Sequence, residues 1–295
     1  MTGRWRSLCQ RGELSLVGLR ETLLGGQSFS WSAESENQWT GVIEQSIVQL
    51  RWVDGNLKWK SSGPNPIGED RLRHYLWLED TYESAVDALP WRSDPCLCRA
   101  IQNFPGLRIL RQPIDETLLV FLLSSAKSIP QIKKLREKIH YLLGDHLGMN
   151  QYAFPGWKKL QSLSEMKARN LGLGYRAKYL VGTAEIIGPN PNFLSDLRSL
   201  PYLEAKNKLM ELPGVGPKVA DCVLLFGAEK QEAFPIDTWI LQSLQKQYGI
   251  KDWKISQMDD FARIHFGAYA GLAQQFLFSY QRHFDKEKRQ RRTKV

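Results

Sequence analysis

The stretch that decides the fold is Leu212-Pro213-Gly214-Val215-Gly216-Pro217-Lys218-Val219-Ala220-Asp221. A predicted helix over residues 202–211 stops at Pro213, and a Gly-x-Gly turn follows. Pro217 suits the first position of a second helix, because its missing N–H would be unpaired there. Helix, glycine turn and helix together predict a helix-hairpin-helix. Its backbone can approach a phosphate and offer free N–H groups to it, so the predicted DNA contacts are Gly214, Val215 and Gly216. On the glycines alone, an ordinary corner between two helices is the alternative.

Lys218 gives this hairpin a possible chemical function. It falls in the first turn of the second helix, where the helix dipole disfavours a charged ammonium. A neutral amine can attack an electrophilic carbon and form a Schiff base. The alternative is a lysine that forms a salt bridge or binds a phosphate.

Asp237 is the second candidate, and it follows Phe234-Pro235-Ile236 immediately before a stretch with helical pattern. Local rules predict that it caps this helix. A capping carboxylate is expected to have a lowered pKa and to stay ionised, so it could face positive charge that develops on a sugar.

Charge and cysteine usage restrict the class of partner. The 295 residues carry 40 Lys and Arg against 31 Asp and Glu, a net charge of +9. Such a surplus favours a polyanion, with anionic membranes and acidic proteins as alternatives. No apolar run approaches the ~20 residues that cross a bilayer, and no signal peptide opens the chain. The four scattered cysteines match no redox or zinc spacing, so we expect a reduced intracellular protein without a metal.

The pattern of the chain predicts an α+β fold with an antiparallel sheet first and helices afterwards. Asp54-Gly55 is a two-residue hairpin signal, with Trp52 and Trp59 as candidate cross-strand partners. The predicted strands are residues 28–31, 38–43, 49–53, 56–60 and 75–78. The predicted helices are residues 117–125, 129–147, 154–163, 174–187, 202–212, 218–226, 237–248, 256–266 and 268–283. We expect a β domain over 1–105, a helical two-lobed core over 106–284 and a basic disordered tail over 285–295.

Together these motifs resemble the 8-oxoguanine DNA glycosylase branch of the helix-hairpin-helix DNA glycosylase superfamily. The hairpin with Lys218 and the downstream Asp237 is similar to the superfamily signature. The resemblance to the branch covers nearly the whole chain, and its further motifs are Gly26-Gln27-Ser28-Phe29, Leu110-Arg111-Gln112-Pro113, Gly172-Leu173-Gly174-Tyr175-Arg176-Ala177 and Tyr269-Ala270-Gly271-Leu272-Ala273-Gln274 with Phe278.

The resemblance implies a role for each matching residue. Lys218 would be the nucleophile and Asp237 its electrostatic and proton-handling partner. Base flipping would place the damaged base in a pocket, whose residues would be Gly26, Cys222, Gln274 and Phe278. Tyr175 and Arg176 would contact the duplex, as would Trp239, which stands two residues after Asp237 where a His is common. The implied reaction is excision of 8-oxoguanine followed by β-elimination through an imine, in a monomer on damaged double-stranded DNA, without a cofactor or membrane.

The sequence departs from the branch where an Asn-rich stretch is usual. Ser124-Ser125 is followed by Ala126-Lys127-Ser128, and Gln131 stands where an Arg might contact the opposite base. We therefore expect a weak preference for cytosine opposite the lesion. Two alternatives stay open: a glycosylase of this fold for formamidopyrimidine or alkylated bases, and a noncatalytic DNA-binding module. The expected location is intracellular, the nucleus in a eukaryote or the cytoplasm and nucleoid in a prokaryote.

Overall fold

The computed structural model describes residues 4–9 and 12–293, and side chains only as far as residue 284. Its N-terminal part contains a five-stranded antiparallel sheet of order β1-β5-β4-β3-β2. The strands are β1 (Arg6–Ser7), β2 (Trp31–Ser35), β3 (Gln38–Ile43), β4 (Ser46–Val53) and β5 (Asn56–Ser62). The predicted antiparallel sheet is therefore confirmed.

The hairpin at Asp54-Gly55 forms as expected, since both residues have the positive φ, 51° and 80°, that a tight two-residue turn needs. The turn pairs Val53 with Asn56. This register places Trp52 opposite Leu57 and Trp59 opposite Leu50, so the two tryptophans lie diagonally across the strand pair and not directly opposite each other.

Two other predicted strands are wrong or shifted. Residues 75–78 form the end of a helix and a turn, and all four side chains are buried, so a short apolar run was mistaken for a strand. Strand β2 begins only at Trp31, because the Ser28 side chain accepts a hydrogen bond from the Ser30 N–H and bends the chain before it. The first helix, capped by Ser15, was not predicted.

The rest of the described chain is mostly helical. The helices are α1 (Leu16–Leu24), α2 (Glu69–Tyr75), α3 (Thr81–Asp87), α4 (Pro95–Asn103), α5 (Ile114–Leu123), α6 (Ile129–Leu143), α7 (Trp157–Leu160), α8 (Glu165–Ala168), α9 (Arg176–Ile187), α10 (Phe193–Asp196), α11 (Tyr202–Met210), α12 (Pro217–Gly227), α13 (Thr238–Gln247), α14 (Ile255–Phe266) and α15 (Ala270–Thr293). A short hairpin, β6 (His146–Gly148) with β7 (Gln151–Tyr152), follows α6, which ends at Gly144 rather than continuing to 147 as expected.

These helices form two lobes. Helix α5 is buried along almost its whole length and packs against α6, α9 and α12. In the other lobe, α13 and α14 pack on α15, which also contacts α4. The apolar core of the helices extends upstream to Trp77 and Tyr82, inside the segment expected to belong to the β domain. The boundary at residue 105 stays a prediction, and the tail over 285–295 lies outside the residues whose side chains are described.

Candidate active site

The hairpin joins α11 to α12 with the predicted glycine turn. Gly214 has φ +79°, a conformation that favours glycine, and a Cβ there would lie 2.5 Å from the Tyr179 ring. Gly216 precedes Pro217 as the residue that starts α12. Both glycines are exposed, whereas Val215 is buried and fixes the turn to the core. The Thr183 hydroxyl donates a hydrogen bond of 3.2 Å to the Pro213 carbonyl. The helix-hairpin-helix is confirmed, and its glycines form an exposed backbone surface.

Lys218 lies half-buried in the first turn of α12, at the cleft between the two lobes. Its Nζ donates a hydrogen bond of 3.1 Å to Ser124 Oγ at the end of α5. It also lies 5.1 Å from the centre of the Phe121 ring. The amine is therefore held in one position by a neutral hydroxyl and an aromatic face.

Asp237 caps α13 as predicted, accepting hydrogen bonds from the N–H groups of Trp239 and Ile240 at 3.0 and 2.9 Å. Both bonds use Oδ1. The expected lowering of its pKa is wrong: burial raises the pKa, and this effect exceeds the opposing hydrogen bonds and the charge of Lys218. Asp237 thus interacts electrostatically with Lys218 and holds a proton more readily than an exposed Asp.

A cavity of about 690 Å³ opens between the lobes, and both candidate catalytic residues line it. Helices α5, α6, α12, α13 and α15 and the N-terminal part of the chain contribute to its wall. All four predicted base-pocket residues and Trp239 also line this cavity: Gly26, Cys222, Gln274, Phe278 and Trp239. The two candidate catalytic residues, the four pocket residues and Trp239 therefore surround one space of the size that small-molecule sites have.

Gly26 lies in a turn with φ +109°, and a Cβ there would meet Ile129 at 2.8 Å. The neighbouring Gln27 holds this turn in place. Its side chain donates to the Arg108 carbonyl and accepts from the Leu110 N–H, both at 2.8 Å. Gln112 donates to the Gln27 carbonyl at 2.7 Å. Two of the sequence motifs, around Gly26 and around Gln112, are thus in direct contact.

Cys222 and Gln274 are the buried part of the pocket wall. Burial raises the pKa of the Cys222 thiol to about 12, so the group is a neutral thiol at physiological pH. Gln274 donates a hydrogen bond of 3.0 Å to the carbonyl of Pro235, two residues before Asp237. Phe278 is partly exposed and lies one turn further along α15.

Two of the predicted DNA contacts, Tyr175 and Arg176, differ in how exposed their side chains are. Tyr175 is 47% exposed at the start of α9, so its ring is accessible to a duplex. Arg176 is only 5% exposed, and its guanidinium donates to the carbonyl of Ser125 while it stacks on the Tyr175 ring. The side chain turns into the core to satisfy the loop after α5. The guanidinium thus supports that loop, and a contact of Arg176 with DNA stays a prediction.

Sequence reasoning missed three residues at this site. Ser124 was noted only as part of a motif, and its hydrogen bond to Lys218 depends on how α5 meets α12. Arg282 lines the cavity one turn after Phe278. Glu21, in the unpredicted α1, forms an ion pair with Arg282 at 2.5 Å. The i, i+4 spacing of Phe278 and Arg282 was the available signal for Arg282; nothing local indicated Glu21.

A buried ionic network lies on the other side of α12. Lys206 Nζ is 2.9 Å from Asp221 Oδ1 and 3.3 Å from Asp259 Oδ2. The Tyr202 hydroxyl donates to Asp221 at 2.7 Å. The network links α11 and α12 of the hairpin to α14 in the other lobe.

The described part of the chain contains neither a metal site nor a membrane span. No cluster of three or more His, Cys, Asp or Glu side chains could hold a metal ion there. Within the same residues, no helix combines the length and apolarity needed to cross a membrane.

Comparison with known proteins identifies the family. The model of the 8-oxoguanine DNA glycosylase N-terminal domain matches residues 10–118. The N-glycosylase/DNA lyase OGG1 of Arabidopsis thaliana is 32% identical over 275 residues, which cover 86% of this chain and 74% of that protein. This chain belongs to the 8-oxoguanine DNA glycosylase family. The resemblance inferred from the motifs is confirmed.

Two further relatives of this glycosylase support the assignment. The N-glycosylase/DNA lyase of Saccharomyces cerevisiae is 29% identical and covers 88% of this chain and 82% of its own length. The crystal structure of Clostridium acetobutylicum 8-oxoguanine glycosylase/lyase, bound to double-stranded DNA with cytosine opposite 8-oxoguanine, superimposes with a TM-score of 0.83. It is 31% identical and the match covers 92% of this chain and 93% of that one.

Proposed function

We propose that this chain excises 8-oxoguanine from duplex DNA and then cleaves the strand as a lyase, with Lys218 as nucleophile. The observation that carries the proposal is that Lys218 and Asp237, from different helices, line one cavity in a chain of the 8-oxoguanine DNA glycosylase family. A noncatalytic DNA-binding module would not need an amine and a buried carboxylate at one cavity.

In the proposed reaction the damaged nucleotide leaves the base stack, because its glycosidic bond cannot be reached inside the duplex. The Lys218 amine attacks the sugar C1′ and forms a C–N bond. The electron pair of the broken glycosidic bond goes to the purine. Asp237 stabilises the positive charge on the sugar and accepts the proton that the amine releases. The C1′–O4′ bond then breaks, O4′ takes up a proton, and an imine remains at C1′. This imine makes the 2′ proton acidic, and β-elimination releases the 3′ phosphate.

The base would lie between Cys222, Gln274 and Phe278, with the Gly26 turn at its edge. Gly26 supports this role because its φ of +109° favours glycine, and the next cavity-lining side chain, Ile129, comes within 2.8 Å of where a Cβ would lie. Trp239 is placed at the wall near the catalytic pair. The neutral thiol of Cys222 adds no charge next to Lys218.

Duplex DNA is the partner, and the exposed glycines Gly214 and Gly216 would present backbone N–H groups to a phosphate. Tyr175 would contact the duplex nearby. The net charge of +9 adds nonspecific attraction that weakens with salt. We propose that the protein acts as an intracellular monomer where DNA is kept: the nucleus in a eukaryote, the cytoplasm and nucleoid in a prokaryote.

The test is borohydride trapping on a duplex with one 8-oxoguanine opposite cytosine. Borohydride reduces an imine to a stable amine, so the native chain should become covalently linked to the DNA. Lys218→Gln should form no adduct while it still binds the duplex. An undiminished adduct in Lys218→Gln would assign the nucleophile to another amine, and a native chain that binds but never forms an adduct would favour the DNA-binding module.

A further inference from the structure

A buried ion pair connects two walls of the base cavity. Glu21 of α1 and Arg282 of α15 are joined at 2.5 Å, with side chains only 7% and 12% exposed. Burial alone would raise the pKa of Glu21, but a hydrogen bond from His283 and the charge of Arg282 bring it below its ordinary value. The pair is therefore ionised, and it costs desolvation that two apolar residues would avoid.

Both partners contact elements that define the pocket. A Cβ on Gly25 would lie 2.7 Å from Glu21 Oε1, so the carboxylate packs against the turn that carries Gly26. The Arg282 guanidinium carbon lies 5.6 Å from the centre of the Phe278 ring. A cation within about 6 Å of an aromatic face is attracted to it. Glu21 and Phe278 thus fix the guanidinium from two sides.

An ion pair that only held α1 to α15 would need no charge at the cavity, yet Arg282 lines the cavity. Its Nη2 is used by Glu21. Within the described residues, no hydrogen bond occupies Nη1, and this nitrogen is not enclosed by the protein. The guanidinium therefore presents a positive charge and a donor at the wall that also carries Phe278.

We propose that Arg282 is a base-recognition residue, whose guanidinium lies beside the extruded purine and stabilises the negative charge that the purine gains as it leaves. The inference rests on the function proposed above. The glycosidic electron pair passes to the purine and Lys218 forms the new bond to C1′. Arg282 neither gives nor takes a proton, because a guanidinium stays charged in proteins.

This role separates two activities of the same cavity. Excision requires a base in the pocket, whereas cleavage at a preformed abasic site does not. Arg282→Leu should lower the single-turnover rate of 8-oxoguanine excision by about 10²- to 10³-fold, the effect of removing one electrostatic contact to a developing charge. Cleavage of a duplex with a preformed abasic site should stay within about 2-fold, since that reaction has no leaving base to stabilise.

Three further variants keep the test decisive. Arg282→Lys retains the charge without the planar fork and should recover part of the excision rate. His283→Gln also loses a contact with Glu21, at 3.0 Å in the native protein, but does not line the cavity, so both rates should remain native. The double variant Glu21→Leu with Arg282→Leu leaves no buried unpaired charge and should show the same selective loss in a stably folded protein.

Equal losses of excision and abasic cleavage in the double variant would show that the ion pair only holds α1 to α15, and would overturn the proposal. Unchanged excision in Arg282→Leu would overturn it as well. Failure of the proposed function itself is a different result, because the native chain would then act on neither duplex.

Discussion

Two lysines lie on opposite sides of helix α12, and their surroundings differ. On the side of the cavity, Lys218 makes one hydrogen bond to a neutral hydroxyl, and no carboxylate of a described residue lies within 4 Å of its Nζ. On the other side, Lys206 of α11 touches two carboxylates at 2.9 and 3.3 Å and the Tyr202 hydroxyl at 3.0 Å. Ion pairs favour the ammonium form, which cannot attack carbon, so burial alone does not make a lysine a nucleophile.

The contrast also separates stability from chemistry. Asp221 is buried, and without Lys206 it would keep the Tyr202 hydroxyl but lose its salt bridge. Asp259, in contrast, would keep Arg263 at 3.8 Å. Lys218 leaves no charged group in direct contact when it is removed. Helix α12 therefore has one side that holds the hairpin to both lobes and one side that carries the reacting amine.

The largest expected effect comes from exchanging each lysine for methionine. Lys218→Met should abolish the borohydride adduct and change the free energy of unfolding by less than about 1 kcal/mol. Lys206→Met should retain the adduct but lose about 3–5 kcal/mol of stability, as breaking a buried ion pair does. Urea unfolding and trapping at a temperature where both variants are folded measure the two effects. Loss of the adduct in folded Lys206→Met would show that the Lys206 side also takes part in the chemistry, which contradicts this distinction.

The next largest effect is expected from Asp237, which lies on the cavity side. Asn caps helices as well as Asp does, so Asp237→Asn should stay folded while the excision rate falls about 10²- to 10⁴-fold. The native rate should also fall on acidification as Asp237 becomes protonated. Because burial raises its pKa, this fall should be centred above the ordinary Asp value of 3.8. A pH profile of single-turnover excision measures it, and an acidic fall of unchanged position in Asp237→Asn would assign the titration to another group.

The glycine turn connects the two sides, and its two glycines are a matched pair. Gly214→Ala should destabilise the fold by about 1–3 kcal/mol, because φ is +79° and the new methyl group would meet the Tyr179 ring. A Cβ on Gly216 meets no protein atom within 4 Å, so Gly216→Ala should keep the unfolding free energy near native. Its methyl group would instead face the phosphate and weaken binding of an undamaged duplex. Equal stability losses in both variants would contradict this reading of the turn.

The chemistry-bearing residues were accessible from sequence because the hairpin is a local signal. Pro213, Pro217 and the glycines specify helix ends by backbone rules alone, and the N-cap position of Asp237 follows in the same way. The strands β3 to β5 could likewise be predicted, from the alternation of apolar and polar residues around Asp54-Gly55. Hydrophobic alternation failed at residues 75–78, where burial on every side removes the periodic signal.

What the sequence could not provide depends on contacts between distant segments. The pKa of Asp237 was predicted in the wrong direction, because capping is visible in sequence but the depth of burial is not. The hydrogen bond from the buried Arg176 guanidinium to the Ser125 carbonyl in the loop after α5 was not visible in the sequence either. The Glu21–Arg282 pair joins residues 261 positions apart, and no local pattern predicts such a contact.

The smallest expected effect concerns the base opposite the lesion. Gln131 stands where an Arg might read that base, and its side-chain carbonyl instead accepts a hydrogen bond of 2.9 Å from the Ser128 N–H at the start of α6. A neutral amide engaged in capping can contribute little discrimination between bases. We therefore expect excision rates on duplexes with C, A, G or T opposite 8-oxoguanine to differ by less than about 5-fold, about 1 kcal/mol, at or below the lower end of the 1–3 kcal/mol of a good bidentate base contact. Gln131→Arg should sharpen the preference for cytosine, since a guanidinium matches the acceptors of a base edge. A native preference for cytosine well above about 5-fold would show that another residue reads the opposite strand, and the exposed Tyr175 would be the first to exchange.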